Sequence, residues 1–157
     1  MTPLRPPLHL PDAEAMARFA RALAPALGPG DVLLLEGPIG AGKTHFARAL
    51  IQALLAAPED VPSPTFTLVQ VYDGPGFEIW HADLYRLTHP DEALELGLAD
   101  AFQQALCLVE WPERLGPDRP EKALTLRFSA MAGDARQLGF FSADRDWAAR
   151  LPEDGDV

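Results

Sequence analysis

The sequence predicts an α/β fold: a mixed, mostly parallel central sheet flanked by helices, with antiparallel hairpins. Three observations lead there. The apolar runs Val32-Leu33-Leu34-Leu35 and Leu106-Cys107-Leu108-Val109 show no polar alternation, as expected of strands buried inside a sheet. The first run passes directly into a glycine-rich stretch, Gly37 to Thr44, which then opens a helical pattern. Two further pairs of strand-like segments each flank a cluster of turn residues, the pattern of a hairpin.

In order, Leu8-His9-Leu10 reads as a short edge strand or arm after a proline-rich start. Pro11-Asp12 opens a helix from about Ala13 to Leu27, whose Met16, Phe19, Ala20, Leu23 and Leu27 recur at helical spacing. Gly28-Pro29-Gly30 ends it, and Val32 begins the first core strand. A helix then runs from Gly42 to about Ala56 and stops at Pro58. Two prolines hold Val61 to Thr67 extended. Thr67 to Tyr72 and Phe77 to Ala82 form a hairpin about Asp73-Gly74-Pro75-Gly76. His89 to about Gln104 is helical but broken near Gly97. Leu106 to Val109 is a buried strand, and Pro112 to Leu115 a turn of helix. Ala123 to Ser129 and Gln137 to Ser142 make the second hairpin, about Met131 to Asp134. A short helix around Asp144 to Leu151 follows. Residues 1–151 are expected to be one domain and 152–157 a frayed tail.

The glycine-rich stretch carries the chemistry. Gly37-Pro38-Ile39-Gly40-Ala41-Gly42-Lys43-Thr44 fits G-x-x-x-x-G-K-[ST], the phosphate-binding loop, in its strand–loop–helix context. Glycines let successive backbone N–H groups curl around a polyphosphate, and the helix N-terminus adds partial positive charge. Lys43 can reach the β- and γ-phosphates, and the Thr44 hydroxyl can ligate Mg²⁺. Lys43 is one of two lysines, beside 11 arginines, placed where a compact ammonium suits phosphate. The predicted fold is therefore of the P-loop NTPase kind.

Such a loop needs a carboxylate near the metal, usually at the end of a neighbouring strand. Glu110 follows Cys107-Leu108-Val109, and Asp83 ends the second strand of the first hairpin. Either can hold Mg²⁺ or one of its waters, or orient the attacking water. Thr65, directly after Pro64 in the extended loop, either senses a γ-phosphate or is simply a threonine of an extended connection. His81 and His89 lack metal-ligand spacing and read as surface or supporting residues. Cys107 reads as a small core residue.

Composition narrows the classes. The net charge of −10 argues against autonomous binding to a nucleic-acid backbone, which needs clustered Lys and Arg. A single cysteine excludes an internal disulfide, no apolar stretch approaches the ~20 residues that span a bilayer, and no signal-like segment opens the chain. The expected setting is the cytoplasm, with no membrane contact.

Asp73-Gly74-Pro75-Gly76 matches a GTPase D-x-x-G but sits at a hairpin turn, and the guanine-reading N-K-x-D is missing, so adenine is the default base. Three activities remain. One is an ATPase. Another is a kinase of a small metabolite, with Arg114 and Arg119 as its lid. The third is a binding module gated by nucleotide.

Five segments together resemble the bacterial TsaE (YjeE) family of P-loop ATPases in tRNA threonylcarbamoyladenosine formation. They are the loop, then Ser63-Pro64-Thr65-Phe66-Thr67-Leu68, His81-Ala82-Asp83-Leu84-Tyr85-Arg86-Leu87, Asp91 to Leu98, and Leu108-Val109-Glu110-Trp111-Pro112. The resemblance covers roughly residues 10 to 128. It implies a weak, Mg²⁺-dependent ATPase working with TsaB and TsaD, which hold the tRNA and install the threonylcarbamoyl group. Carried over by motif, Gly37 to His45 would bind the nucleotide, with Lys43 and Thr44 on phosphates and Mg²⁺. Glu110 would be the acid beside the metal, Asp83 would position the metal or activate water, and Thr65 would face the γ-phosphate. Trp111 would sit near the site and shape partner contacts. Where such proteins commonly have a second Thr or Ser after the loop this chain has His45, leaving its backbone N–H to serve the α-phosphate.

Overall fold

The computed structural model describes residues 2–55, 59–61 and 68–153. Seven strands form one sheet: β1 (Pro3–Leu10), β2 (Val32–Glu36), β3 (Val69–Asp73), β4 (Glu78–Asp83), β5 (Leu106–Glu110), β6 (Leu124–Ala130) and β7 (Arg136–Phe141), in the order β1-β7-β6-β2-β5-β4-β3. The central four, β6-β2-β5-β4, run parallel, and the outer pairings are antiparallel. β2 and β5 lie in the middle with every residue from Val32 to Leu35 and from Leu106 to Glu110 buried, which accounts for their unbroken apolar sequence.

Helices cover both faces. On one side lie α1 (Ala13–Leu23) and α2 (Lys43–Leu54), packed over Leu33, Leu35, Leu106, Leu108, Leu126 and Phe128. Phe46 of α2 sits 6.2 Å from Phe19 of α1 and edge-on to Phe128 of β6 at 5.6 Å. On the other side α3 (Asp91–Glu95), α4 (Leu98–Gln104) and a 3₁₀ segment (Pro112–Asp118) cover Val32, Leu34, Cys107 and Val109. Burial there pushes the Cys107 thiol up to about 12, an inert core side chain. A final turn, α5 (Trp147–Arg150), buries Trp147 against the α1–α2 side.

The differences from expectation have local causes. The edge strand begins at Pro3, not Leu8; its prolines are tolerated because β1 is an outermost strand, and its register slips between Pro3 and Arg5 and again between Arg5 and Leu8. α1 ends at Leu23, four residues early, because Pro25 removes a helical donor and the chain tightens into a 3₁₀ turn over Ala24–Ala26. The break at Gly97 is present, with φ of 86° separating α3 from α4. The turn expected at Pro112 forms, and after a kink at the non-helical Gly116 (φ 56°, ψ −128°) a second short piece reaches Asp118. Both hairpins form, but β6 also runs parallel to β2, a placement no local pattern announces. The terminal helix is one turn rather than two. In the segment expected to fray, the Pro152 carbonyl accepts a hydrogen bond from Arg5 at 2.5 Å, and 154–157 lie outside the described residues.

Candidate functional site

The site forms at the carboxyl ends of β2, β4 and β5. Gly37 leaves β2 with φ of 143°, and a Cβ there would meet the Phe128 carbonyl oxygen at 2.6 Å, so only glycine fits. Gly42, with φ of 101°, caps α2. Lys43, Thr44 and His45 then supply the first-turn N–H groups, which have no carbonyl one turn back within the helix. These amides open on a cleft of about 420 Å³, lined by Ile39, Gly40, Gly42 to His45, Leu68, Asp83, Tyr85, Arg86, Glu110 and Trp111.

The side chains converge around one carboxylate. Thr44 donates its hydroxyl to Glu110 Oε1 at 2.8 Å, and His81 Nε2 donates to Glu110 Oε2 at 2.7 Å. Asp83 is the register partner of Glu110 on the adjacent strand, and its Oδ1 accepts from the Tyr85 amide at 3.1 Å. Burial raises the Asp83 carboxyl above the ordinary carboxylate range; the Tyr85 amide opposes this, and the charge of Glu110 adds to it. Lys43 is almost wholly buried. Its Nζ donates to the Gly37 carbonyl at 2.5 Å and stands 3.5 Å over the Trp111 ring. Desolvation lowers its pKa, against the pull of Glu110, Glu113 and Asp83.

The surroundings brace the loop. α1, the helix placed ahead of the loop, receives the His45 Nε2–H on its Ala13 carbonyl at 3.0 Å. From β7, Arg136 donates to the Gly40 carbonyl at 3.1 Å while also holding the Gly133 and Ala135 carbonyls of the hairpin tip. Glu36 is turned to Arg119 at 3.2 Å and Arg127 at 3.6 Å. Arg119 also binds Thr125, and neither it nor Arg114 lines the cleft, so the arginine lid expected of a kinase is not formed by these two.

The residues singled out in the sequence thus meet, with two qualifications. Thr65 lies outside the described residues. The histidines divide between the two readings: His81 is the supporting residue, fully buried against Glu110, while His89 lies at the surface. The signal for His81 was the period of two along β4. Ile79, His81 and Asp83 share the face toward α2, so a strand that aims Asp83 at the site buries position 81 behind it. Arg136 had no such signal, because only tertiary packing brings the hairpin tip to the loop.

The donors suit a hard cation. A hydroxyl and carboxylate oxygens fit Mg²⁺, which keeps several waters and shares substrate phosphates instead of filling an all-protein cage. No group of three or more His, Cys, Asp or Glu among the described residues is arranged to hold a metal alone. A strand feeding a glycine cradle, with the neighbouring parallel strand presenting its acid to the loop threonine, defines a P-loop α/β protein.

Comparison with known proteins narrows the class. The family model of "Threonylcarbamoyl adenosine biosynthesis protein TsaE" matches residues 10–138. A TsaE from Rickettsia bellii is 39% identical over 123 residues, covering 78% of this chain and 85% of that protein. The Bacillus subtilis TsaE is 36% identical over 130 residues, 82% of this chain and 78% of its own. Four other rickettsial relatives are matched over only 57% to 66% of their length. A crystal structure of Bacillus subtilis YdiB superposes with a TM-score of 0.76 at 28% identity, covering 92% of this chain and 90% of that one. The chain belongs to the TsaE family. No helix among the described residues is long and apolar enough to cross a membrane.

Proposed function

We propose that this protein is a Mg²⁺-dependent, ATP-binding and ATP-hydrolysing member of the pathway that places threonylcarbamoyl on tRNA adenosine. Its hydrolysis regulates turnover of a TsaB–TsaD complex in the cytoplasm and does not itself transfer the group. The relatives' names place them in this pathway. The chemistry is carried by one observation: Thr44 Oγ1 and Glu110 Oε1 meet at 2.8 Å beside the glycine cradle. The charge of −10 agrees with partners, rather than this chain, holding the tRNA.

The amides of Gly37 to His45 orient the triphosphate, and the Lys43 ammonium neutralises charge on its β- and γ-oxygens. Thr44, Glu110 and Asp83 are the residues that would hold Mg²⁺, which would supply positive charge to offset that of the triphosphate. Asp83, whose burial makes it a better base than an exposed carboxylate, either assists at the metal or orients the attacking water. Thr65 is assigned the γ-phosphate-facing role by family resemblance. Positioning and charge stabilisation leave the isolated protein slow, and TsaB with TsaD accelerate it.

The test is phosphate release from ATP and Mg²⁺ by the purified protein, alone and with TsaB and TsaD. Slow release that rises with the partners and needs no acceptor supports the reading. Transfer of the phosphoryl group to a metabolite instead would establish the kinase.

A further inference from the structure

We propose that His81 is a positioning residue that locks the Glu110 carboxylate in one orientation, so that Oε1 alone faces Thr44 and the metal side of the cleft. The inference rests on the nucleotide reading above and deepens it.

His81 lies in the middle of β4 with no accessible surface, in register with Leu108 and beside Ile79 on the same face. An aliphatic side chain would suit those neighbours better than an imidazole. Among the described residues the ring makes one polar contact, Nε2 to Glu110 Oε2 at 2.7 Å, and its Nδ1 has no hydrogen-bond partner. Buried polar atoms are ordinarily paired, so a ring kept for packing alone is a poor choice here. Only the tautomer with hydrogen on Nε2 avoids setting two acceptors face to face, and it leaves Nδ1 as a bare acceptor, a smaller penalty than a buried N–H without a partner.

What the contact does follows from the glutamate side chain. Its terminal torsion is broad and nearly two-fold, so an unrestrained Glu110 would exchange its oxygens and swing away from Thr44. With Oε2 held by His81 and Oε1 held by Thr44, both ends of the carboxylate are fixed from opposite sides. Outer partners of this kind orient the ligating group, and their loss typically weakens metal binding by about 10- to 100-fold.

The experiment compares H81L with H81Q. Both fill the space, but only glutamine presents an N–H where Nε2 stood. Calorimetry gives ADP affinity with Mg²⁺ and with EDTA, and thermal melting reports the fold. H81L is expected to bind Mg²⁺ about 10- to 100-fold more weakly with Mg²⁺-free ADP affinity unchanged, and H81Q to restore most of the loss. H81N, whose shorter amide stops short of Glu110, replaces H81L if leucine prevents folding. Wild-type Mg²⁺ coupling in H81L or H81N overturns the proposal. So does an H81Q that melts like wild type yet is as impaired as H81L. A wild-type protein that binds no ADP overturns the nucleotide reading and this role with it, whereas one whose ADP affinity ignores Mg²⁺ overturns this role alone.

Discussion

The Lys43 ammonium stands 3.5 Å above the indole of Trp111, and Trp111 is held with φ of 60°, the one positive value outside glycine among the described residues. That conformation costs roughly 1–2 kcal/mol for an ordinary residue. The contact with Lys43, and with Tyr85 at 5.0 Å on the ring, offsets part of it. A triphosphate that draws Nζ to its oxygens takes the cation off the ring. We predict a change in tryptophan emission on adding ATP and Mg²⁺ that W111F abolishes, although Trp80 and Trp147 remain. An unchanged signal in W111F would place the response elsewhere.

Lys43→Ala should reduce ATP hydrolysis by about 100-fold or more, the scale seen when one preorganised transition-state donor is removed. Steady-state phosphate release measures it, and near-wild-type turnover would remove Lys43 from the mechanism.

Glu110→Ala should weaken Mg²⁺-dependent turnover without unfolding the protein. Truncation removes the buried charge itself and leaves an imidazole N–H and a hydroxyl without their acceptor. Groups stranded in this way cost about 1–3 kcal/mol each, against total stabilities of about 5–15 kcal/mol. Circular dichroism melting beside an Mg²⁺ titration of turnover separates the two effects.

Asp83→Asn should trade function for stability in a pH-dependent way. The folded-state pKa of Asp83 is raised, so between the ordinary aspartate value and the raised one the folded state binds more protons than the unfolded. Stability contributed by this group is therefore full below the ordinary value and falls as pH rises through the raised one. The asparagine variant should melt higher than wild type at neutral pH, and the gap should close toward acid while ATPase activity drops. A variant that melts lower at neutral pH contradicts the sign.

Arg136→Ala should lower ADP affinity several-fold, as expected for the loss of a hydrogen bond worth about 0.5–1.5 kcal/mol to the Gly40 carbonyl. Calorimetry checks this, and unaltered affinity would confine Arg136 to the hairpin tip.

Much of this was legible in the residues. Val32 to Leu35 and Leu106 to Val109 announce central strands because burial on both faces erases alternation. Gly37 to Thr44 announces its loop because a backbone cradle admits little besides glycine. The acids Asp83 and Glu110 follow as strand ends. Chain order, however, carries no information on where β6 lies, so its pairing with β2 and the reach of Arg136 to Gly40 were hidden. His81 was read with His89 by spacing along the chain, when its meaning depends on which strand lies beside it. The positive φ of Trp111, directly after β5, is announced by no sequence pattern.

The central claim is that the loop amides grip a nucleotide's phosphates while Thr44 and an acid from β4 or β5 hold its metal. A crystal structure with ADP and Mg²⁺ tests it most directly. The account predicts the β-phosphate on the amides of Gly40 to Thr44, Thr44 Oγ1 about 2.1 Å from the metal, and Glu110 or Asp83 bound to it directly or through one water. Nucleotide bound away from the loop, or both acids turned from the metal, would contradict it.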